Sequence, residues 1–185
     1  MVFHLGRCFK LIELKSEKDV HTLLKVRKLY LEVFPDFERL PFWYLIYKSK
    51  KKDSNLNVIY DGGKFIGFTH LVYYKDIVYL YYLAIDPSQQ SQGYGSLILE
   101  HLQTKYLDKR MLLNIEKVDI TADNYIKRFK RKKFYEKNGF QNTSFEIETE
   151  DIVYEILYSG AIVYEHEYDS LFKSYISRIV RYLFL

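Results

Sequence analysis

The stretch IDPSQQSQGYGS, residues Ile85 to Ser96, decides how this chain reads. The nine residues that lead into it, Ile77 to Ile85, are apolar on both alternating faces, as in a central strand covered on both sides. Asp86-Pro87 stops the strand, and beyond Gly93-Tyr94-Gly95 the residues Leu97, Ile98, Leu102 and Tyr106 mark one face of a helix. N–H groups at the start of a helix lack partners and carry the positive end of its dipole, so a glycine loop here suits an anion. Two phosphate-binding patterns are absent. There is no G-x-x-x-x-G-K-[ST], and Ile98 stands where the dinucleotide fingerprint has its third glycine, which argues against nucleoside triphosphates and NAD.

Upstream, FKLIEL at 9–14 reads as a strand, and Ser16 with Asp19 offers a cap for a helix over about 18–33 carrying Val20, Leu23, Leu24, Val26, Leu29 and Tyr30. Pro35 and Pro41 break the chain before a short helix that ends in a lysine run. Three short strands then lead to Ile85, the first joint at Asp61-Gly62 and the second near Lys75-Asp76. Downstream, MLLNIE at 111–116 completes a strand, helix, strand crossover. A helix over 125–138 stops at Asn138-Gly139, and strands near 140–147 and 151–158 form a closing hairpin. From about 168, Phe172, Tyr175, Ile176, Ile179, Val180, Leu183 and Phe184 follow helical spacing, and their apolar stripe is expected to lie on the chain's own sheet. The expected fold is α/β (mixed α+β): one domain over 1–185, with 160–185 a C-terminal helical extension.

Composition narrows the function. The 185 residues suffice for one buried core, and 19 tyrosines with 13 phenylalanines favour pleated sheet. The longest apolar run is too short to span a bilayer and no signal pattern opens the chain, so the expectation is a cytoplasmic protein without membrane contact. A lone cysteine, Cys8, builds neither a disulfide nor a multi-cysteine metal site, and no metal is expected. A net charge of +4 permits an anionic ligand without demanding nucleic acid.

Gln90-x-x-Gly93-x-Gly95 directly after a buried strand resembles the acyl-coenzyme A loop of the GNAT superfamily of N-acyltransferases. Downstream, KFYEKNGF, Lys133 to Phe140, is similar to that superfamily's helix-to-strand segment. The order of elements agrees from about residue 9 to 158, with the C-terminal helix outside the common core. The resemblance implies a twisted mixed sheet of about six to seven strands flanked by helices. It implies acetyl-coenzyme A as co-substrate, held at its pyrophosphate by N–H groups of Gln92, Gly93, Tyr94, Gly95 and Ser96, with Gln90 and Ser91 in the same loop. It also implies that the strand ending at Ile85 splays from the strand ending at Glu116, so that pantetheine bonds the backbone of Leu83 and Ile85.

Acyl transfer to an amine needs a deprotonated nucleophile, a polarised thioester carbonyl and a proton for the departing thiolate. Alternation puts Leu112, Asn114 and Glu116 on one face, and Glu116, at the strand end, is the candidate base; the alternative is a solvated carboxylate. By the resemblance Tyr135 protonates the thiolate. Relatives with a glutamate on the strand before the loop differ here, since Tyr79 holds that position and reads as core. His70 reads as a structural histidine sooner than a proton relay. Arg128 stands where many relatives have an asparagine on pantetheine, which puts that contact in doubt. It belongs to the run Lys127 to Lys133, six basic residues at a helix start, an arrangement the dipole disfavours unless something anionic offsets it. Arg128 or Arg131 reaching a coenzyme phosphate is one offset; Phe129 within the run and Phe134 directly after it also suit an RNA-contacting helix.

The expected function is transfer of an acetyl group from acetyl-coenzyme A to a primary amine, on a small molecule or peptide, by direct attack in a ternary complex. The alternative is a non-catalytic coenzyme A-binding or RNA-associated module on the same scaffold, and either suits a monomer or homodimer. Asp36, Glu38 and Glu148 are candidate partners for an ammonium group.

Overall fold

The computed structural model describes residues 10–16, 19–149 and 152–176. In chain order the elements are β1 (Ile12–Lys15), α1 (Val20–Val33), α2 (Phe42–Lys48), β2 (Ser54–Asp61), β3 (Lys64–Tyr74), β4 (Ile77–Ile85), α3 (Tyr94–Lys105), β5 (Arg110–Glu116), α4 (Tyr125–Lys137), β6 (Gln141–Glu148), β7 (Val153–Ser159) and α5 (Glu165–Tyr175). Single 3₁₀ turns at Asp36–Glu38 and Pro87–Gln89 precede α2 and α3. Cys8, and the apolar positions Ile179 to Phe184 of the tail, lie outside the described residues.

The strands form one seven-stranded sheet in the order β1-β2-β3-β4-β5-β7-β6, so the fold is mixed α/β with β4 at its centre, as its apolar run requires. Every neighbouring pair is antiparallel except β4 and β5, which run parallel. The turn between β2 and β3 holds Gly62 at φ 55° and Gly63 at φ 82°, a conformation that glycine takes without strain. Asp19 caps α1 as expected, its carboxylate accepting from the Thr22 N–H at 2.9 Å. The closing hairpin forms, but β7 inserts beside β5 and leaves β6 at the edge.

Two apolar layers cover the sheet. On one face Val26, Leu29 and Tyr30 of α1, Tyr44 and Leu45 of α2, and Tyr168, Leu171 and Tyr175 of α5 pack around Val58, Phe68 and Tyr79. On the other, Ile98, Leu99 and Leu102 of α3 join Phe134 and Tyr135 of α4 around Val78, Leu80 and Leu113. The described part of the tail therefore lies on its own sheet. Its helix begins at Glu165, earlier than the apolar stripe suggests, because polar groups set that end: Glu167 accepts from the Tyr164 N–H at 3.0 Å and from Arg110 at 2.7 Å.

Two irregularities of β4 shape the centre of the sheet. Leu71 pairs with Leu80 but His70 with Tyr82, so Tyr81 is an extra residue, a bulge. Tyr79, Tyr82 and Ala84 consequently share one core while Leu80 belongs to the other. On its other edge, β4 pairs with β5 only through Ile77, Val78 and Tyr79, opposite Arg110, Met111 and Leu112. Beyond those pairs the two strands separate.

Candidate active site

Where β4 and β5 part, a cavity of about 1100 Å³ opens, walled by Leu80 to Leu83 of β4 and Leu113 to Glu116 of β5. Arg131 and Tyr135 of α4 close one side, Tyr168, Asp169 and Phe172 of α5 another, and Phe34, Phe37 and Glu38 of the turn before α2 a third. The gap is a consequence of pairing. From Leu80 to Leu83 and from Leu113 to Glu116 the facing edges have no strand partner among the described residues, so main-chain groups face the cavity at Leu83, one of the two positions where pantetheine is expected; Ile85 is not in the lining, and its carbonyl accepts from Gln90.

The glycine loop lies at the end of β4. Asp86 accepts from the Ser88 N–H at 2.9 Å, and the Gln90 side-chain amide donates to the Ile85 carbonyl at 3.1 Å, so Gln90 ties the loop back to its strand. Ser91 at φ 60° and Gly93 at φ 83° are left-handed, turning the chain into α3. Among the described residues the N–H groups of Ser91, Gln92, Gly93, Gly95 and Ser96 have no backbone acceptor, and Leu97 is the residue that donates back to the Gly93 carbonyl, at 3.2 Å. Five donors, Ser91, Gln92, Gly93, Gly95 and Ser96, are left for an anion at the positive end of the helix. Nearby, Lys10 bonds the Gln92 carbonyl, and the Tyr94 hydroxyl donates to Asp61 at 2.7 Å, which anchors the loop to β2. Gly95 lies against Phe134 of α4: a Cβ there would stand 2.9 Å from that ring.

Tyr135 lines the cavity, its ring against Phe134 and Phe140 at centroid separations of 5.1 and 5.7 Å. Burial pushes its hydroxyl up to about 12, partly opposed by Arg131. A thiol, at about 8.5, is the stronger acid, so outright transfer from the phenol to a free thiolate runs uphill. A tyrosine so placed acts as a neutral donor to developing charge, or as a relay that regains a proton as it gives one.

Glu116 also lines the cavity but is not isolated. Its carboxylate pairs with Arg128 at 3.2 Å and Arg131 at 3.5 Å, and Asn124 donates to it at 3.4 Å. Arg128 donates as well to the Asn124 side chain at 2.6 Å and to the Lys117 carbonyl at 3.0 Å. The guanidinium considered for the coenzyme is thus engaged by three acceptors of its own chain. The basic start of α4 is offset from within, by Glu116 and by buried Glu155 of β7, which takes Lys132 at 2.5 Å.

Of the three acidic residues suggested for an ammonium group, only Glu38 borders the cavity. Asp36 is exposed and pairs with Arg39, and Glu148 is exposed on the edge strand. Burial raises the Glu38 carboxyl above its ordinary range; Glu116 adds to this, and Arg131 and Arg128 oppose it. His70 is fully buried away from the cavity, its Nε2 2.6 Å from the Tyr175 hydroxyl, and Tyr79 is core with its hydroxyl bonded to Asn114. The aromatic lining from α5 and the turn before α2 was not legible, because it depends on which elements cover the gap.

A sheet that opens around a cavity, with a glycine loop at the end of one strand and Tyr135 in the lining, agrees with the acyltransferase architecture that the resemblance implies. Residues 52–142 match the family model for the acetyltransferase (GNAT) domain, so the chain carries a GNAT acetyltransferase domain there. No curated protein sequence matches it. Among solved structures, a protein assigned to the GNAT acetyltransferases from Bacteroides thetaiotaomicron superposes with a TM-score of 0.70 at 22% identity, over 86% of this chain and 92% of that one. An aminoglycoside 6'-N-acetyltransferase from Enterococcus faecium gives 0.62 at 13% identity over 83% and 98%, and the ribosomal-protein-S18-alanine N-acetyltransferase from Escherichia coli 0.59 at 18% over 84% and 97%. A further aminoglycoside 6'-N-acetyltransferase in this set is complexed with coenzyme A. At these identities the likeness is one of fold. Among the described residues no helix is long and apolar enough to cross a membrane.

Proposed function

We propose that this protein transfers an acetyl group from acetyl-coenzyme A to a primary amine by direct attack within a ternary complex. The observation that carries the reading is the glycine turn whose Ser91, Gln92, Gly93, Gly95 and Ser96 N–H groups have no backbone acceptor among the described residues, at the end of a strand whose edge toward β5 is open. The donors fit a diphosphate, and the open edge of β4 fits an amide-bearing arm laid along it toward Tyr135. Structural neighbours described as acting on an aminoglycoside, a ribosomal-protein alanine and spermidine support an amine acceptor without choosing among them.

In this reading the acceptor enters as an ammonium ion and loses one proton to a carboxylate of the cavity, where Glu116 and Glu38 both stand. Its nitrogen lone pair attacks the thioester carbonyl carbon and a tetrahedral adduct forms. As the carbon–sulfur bond breaks, the Tyr135 hydroxyl gives its proton to sulfur and recovers one from the adduct's nitrogen, so tyrosine is neutral before and after. The net products are the N-acetyl amine, the free thiol and one proton on the carboxylate. Arg128 and Arg131 hold Glu116 at the end of β5 and so maintain the wall.

Titration calorimetry with coenzyme A and with acetyl-coenzyme A, followed by thiol release with a panel of amines, tests this. Binding plus amine-dependent release supports the reading; binding without release above solvent hydrolysis makes the protein a coenzyme-binding module; no heat with either removes the proposal.

A further inference from the structure

Resting on the acetyltransferase reading, the inference concerns the acceptor. Two carboxylates stand in the β4–β5 cavity away from α5, and they differ in their company. Glu116 is ion-paired to Arg128 and Arg131 and accepts from Asn124. The Glu38 carboxylate makes no hydrogen bond or ion pair among the described residues, and borders the same cavity. Its position is not loose: the Tyr82 hydroxyl donates to the Glu38 carbonyl oxygen at 2.6 Å, and accepts from the Leu40 N–H at 3.1 Å. A bulged central strand thus holds in place the turn that carries this half-buried carboxylate at the border of the cavity.

The surroundings describe what it waits for. The cavity that Glu38 borders is lined, among others, by Phe34, Phe37, Tyr154, Ile152 and Phe172. Ring faces attract a cation and cover an apolar body, and they offer few groups to the many hydroxyls of a sugar or the backbone of a peptide. We propose that Glu38 receives the acceptor's ammonium group and takes its proton, and that the acceptor is a primary amine on an apolar body of ring size, an arylalkylamine or a comparable alkylamine.

The proton balance is that of the proposed transfer. The ammonium ion gives one proton to the Glu38 carboxylate, the freed nitrogen adds to the carbonyl carbon, the C–S bond of the adduct breaks as Tyr135 passes a proton from nitrogen to sulfur, and Glu38 later returns its own proton to water. Charged and titratable groups facing Glu38 are Glu116 of β5, Arg128 and Arg131 of α4, Tyr154 of β7 and Tyr82 of β4. Burial, with help from Glu116, raises Glu38, so the base is ionised and active only above a value higher than that of an ordinary glutamate. Activity therefore falls as pH drops through that value.

The test uses the full chain. Coenzyme A is titrated first into the parent, Glu38→Gln and Glu38→Asp; absence of binding to the parent defeats the acetyltransferase reading itself, whereas equal binding to all three isolates the acceptor side. Phenethylamine, tryptamine, hexylamine, spermidine and kanamycin are then titrated into each coenzyme complex. Expected are binding of the first three to the parent, a loss of about 10- to 100-fold in Glu38→Gln, and partial recovery in Glu38→Asp. In turnover, the acidic limb of kcat/KM disappears in Glu38→Gln and persists in Glu116→Gln. Equal amine affinity in parent and Glu38→Gln, preference for spermidine or kanamycin, failure of all three apolar amines to bind, or an acidic limb that survives in Glu38→Gln and vanishes in Glu116→Gln overturns the proposal.

Discussion

The Tyr82 hydroxyl lies 2.6 Å from the Glu38 carbonyl oxygen and links the central strand to the turn before α2. The same hydroxyl accepts from the Leu40 N–H and lies 3.1 Å from the Tyr30 hydroxyl, so one phenol serves three partners. Tyr82→Phe keeps the ring and removes that junction. The expected result is a loss of about 1–3 kcal/mol in stability by denaturant unfolding, from polar groups left unpaired. Under the proposed acceptor assignment, the KM for amine rises while coenzyme affinity is unchanged.

Tyr135→Phe removes the proposed relay and leaves the aromatic packing against Phe134 and Phe140. A positioned acid or base contributes about 10²–10⁴ in rate, so kcat should fall at least about 100-fold with little change in coenzyme A affinity. Because burial holds this hydroxyl at about 12, the parent should show no alkaline fall in kcat from Tyr135 at pH 8–10. Rate profiles over that range, with calorimetry, check both statements.

Gly67 of β3 has no room for a side chain. A Cβ there would stand 2.0 Å from the Ala84 carbonyl oxygen and 3.0 Å from the Ile85 Cα, and backbone cannot move aside as a side-chain tip does. Gly67→Ala is expected to cost more than about 3 kcal/mol, read from the chemical-denaturation midpoint. Gly93→Ala meets no atom within 4 Å but must adopt φ 83°, so a smaller loss of about 1–2 kcal/mol is expected.

His70 makes stability depend on acid. Complete burial, with Lys48 as a lesser cause, lowers its folded value to about 3 from an ordinary 6.5. Between those values the unfolded chain binds a proton that the folded protein does not. Stability from this group is therefore level above pH 6.5 and declines as pH falls below it, by about 1.4 kcal/mol per unit. Unfolding curves at pH 7, 6 and 5 should show that decline in the parent. His70→Asn should be less stable at pH 7 and flatter across the range.

Most of the architecture was legible because local signals agreed with one another. The run Ile77 to Ile85 is central, Asp61 to Gly63 turns, Asp19 caps, and α4 ends at Lys137, beside Asn138-Gly139. What escaped depends on pairing across long separations. Nothing local tells β7 to insert between β5 and β6, although the alternating exposure of β6 suits an edge. Nor does spacing reveal that Tyr81 is a bulge, since apolar residues on both faces hide a change of register. At the site, the turn from β4 into α3 at Gly93 was readable from its glycines. Glu38 could be named as acidic, but its isolation could not, because that required knowing that Arg128 and Arg131 turn to Glu116.

The short parallel ladder between β4 and β5 gives this protein an unfinished seam at its centre. Extending it by further rungs would add hydrogen bonds and close the reaction chamber with them. Firmness and reactivity are thus opposed at Leu80 and Leu113, the first residues past the last paired rung. A variant selected for heat resistance alone would be expected to zip the sheet shut there and stop turning over.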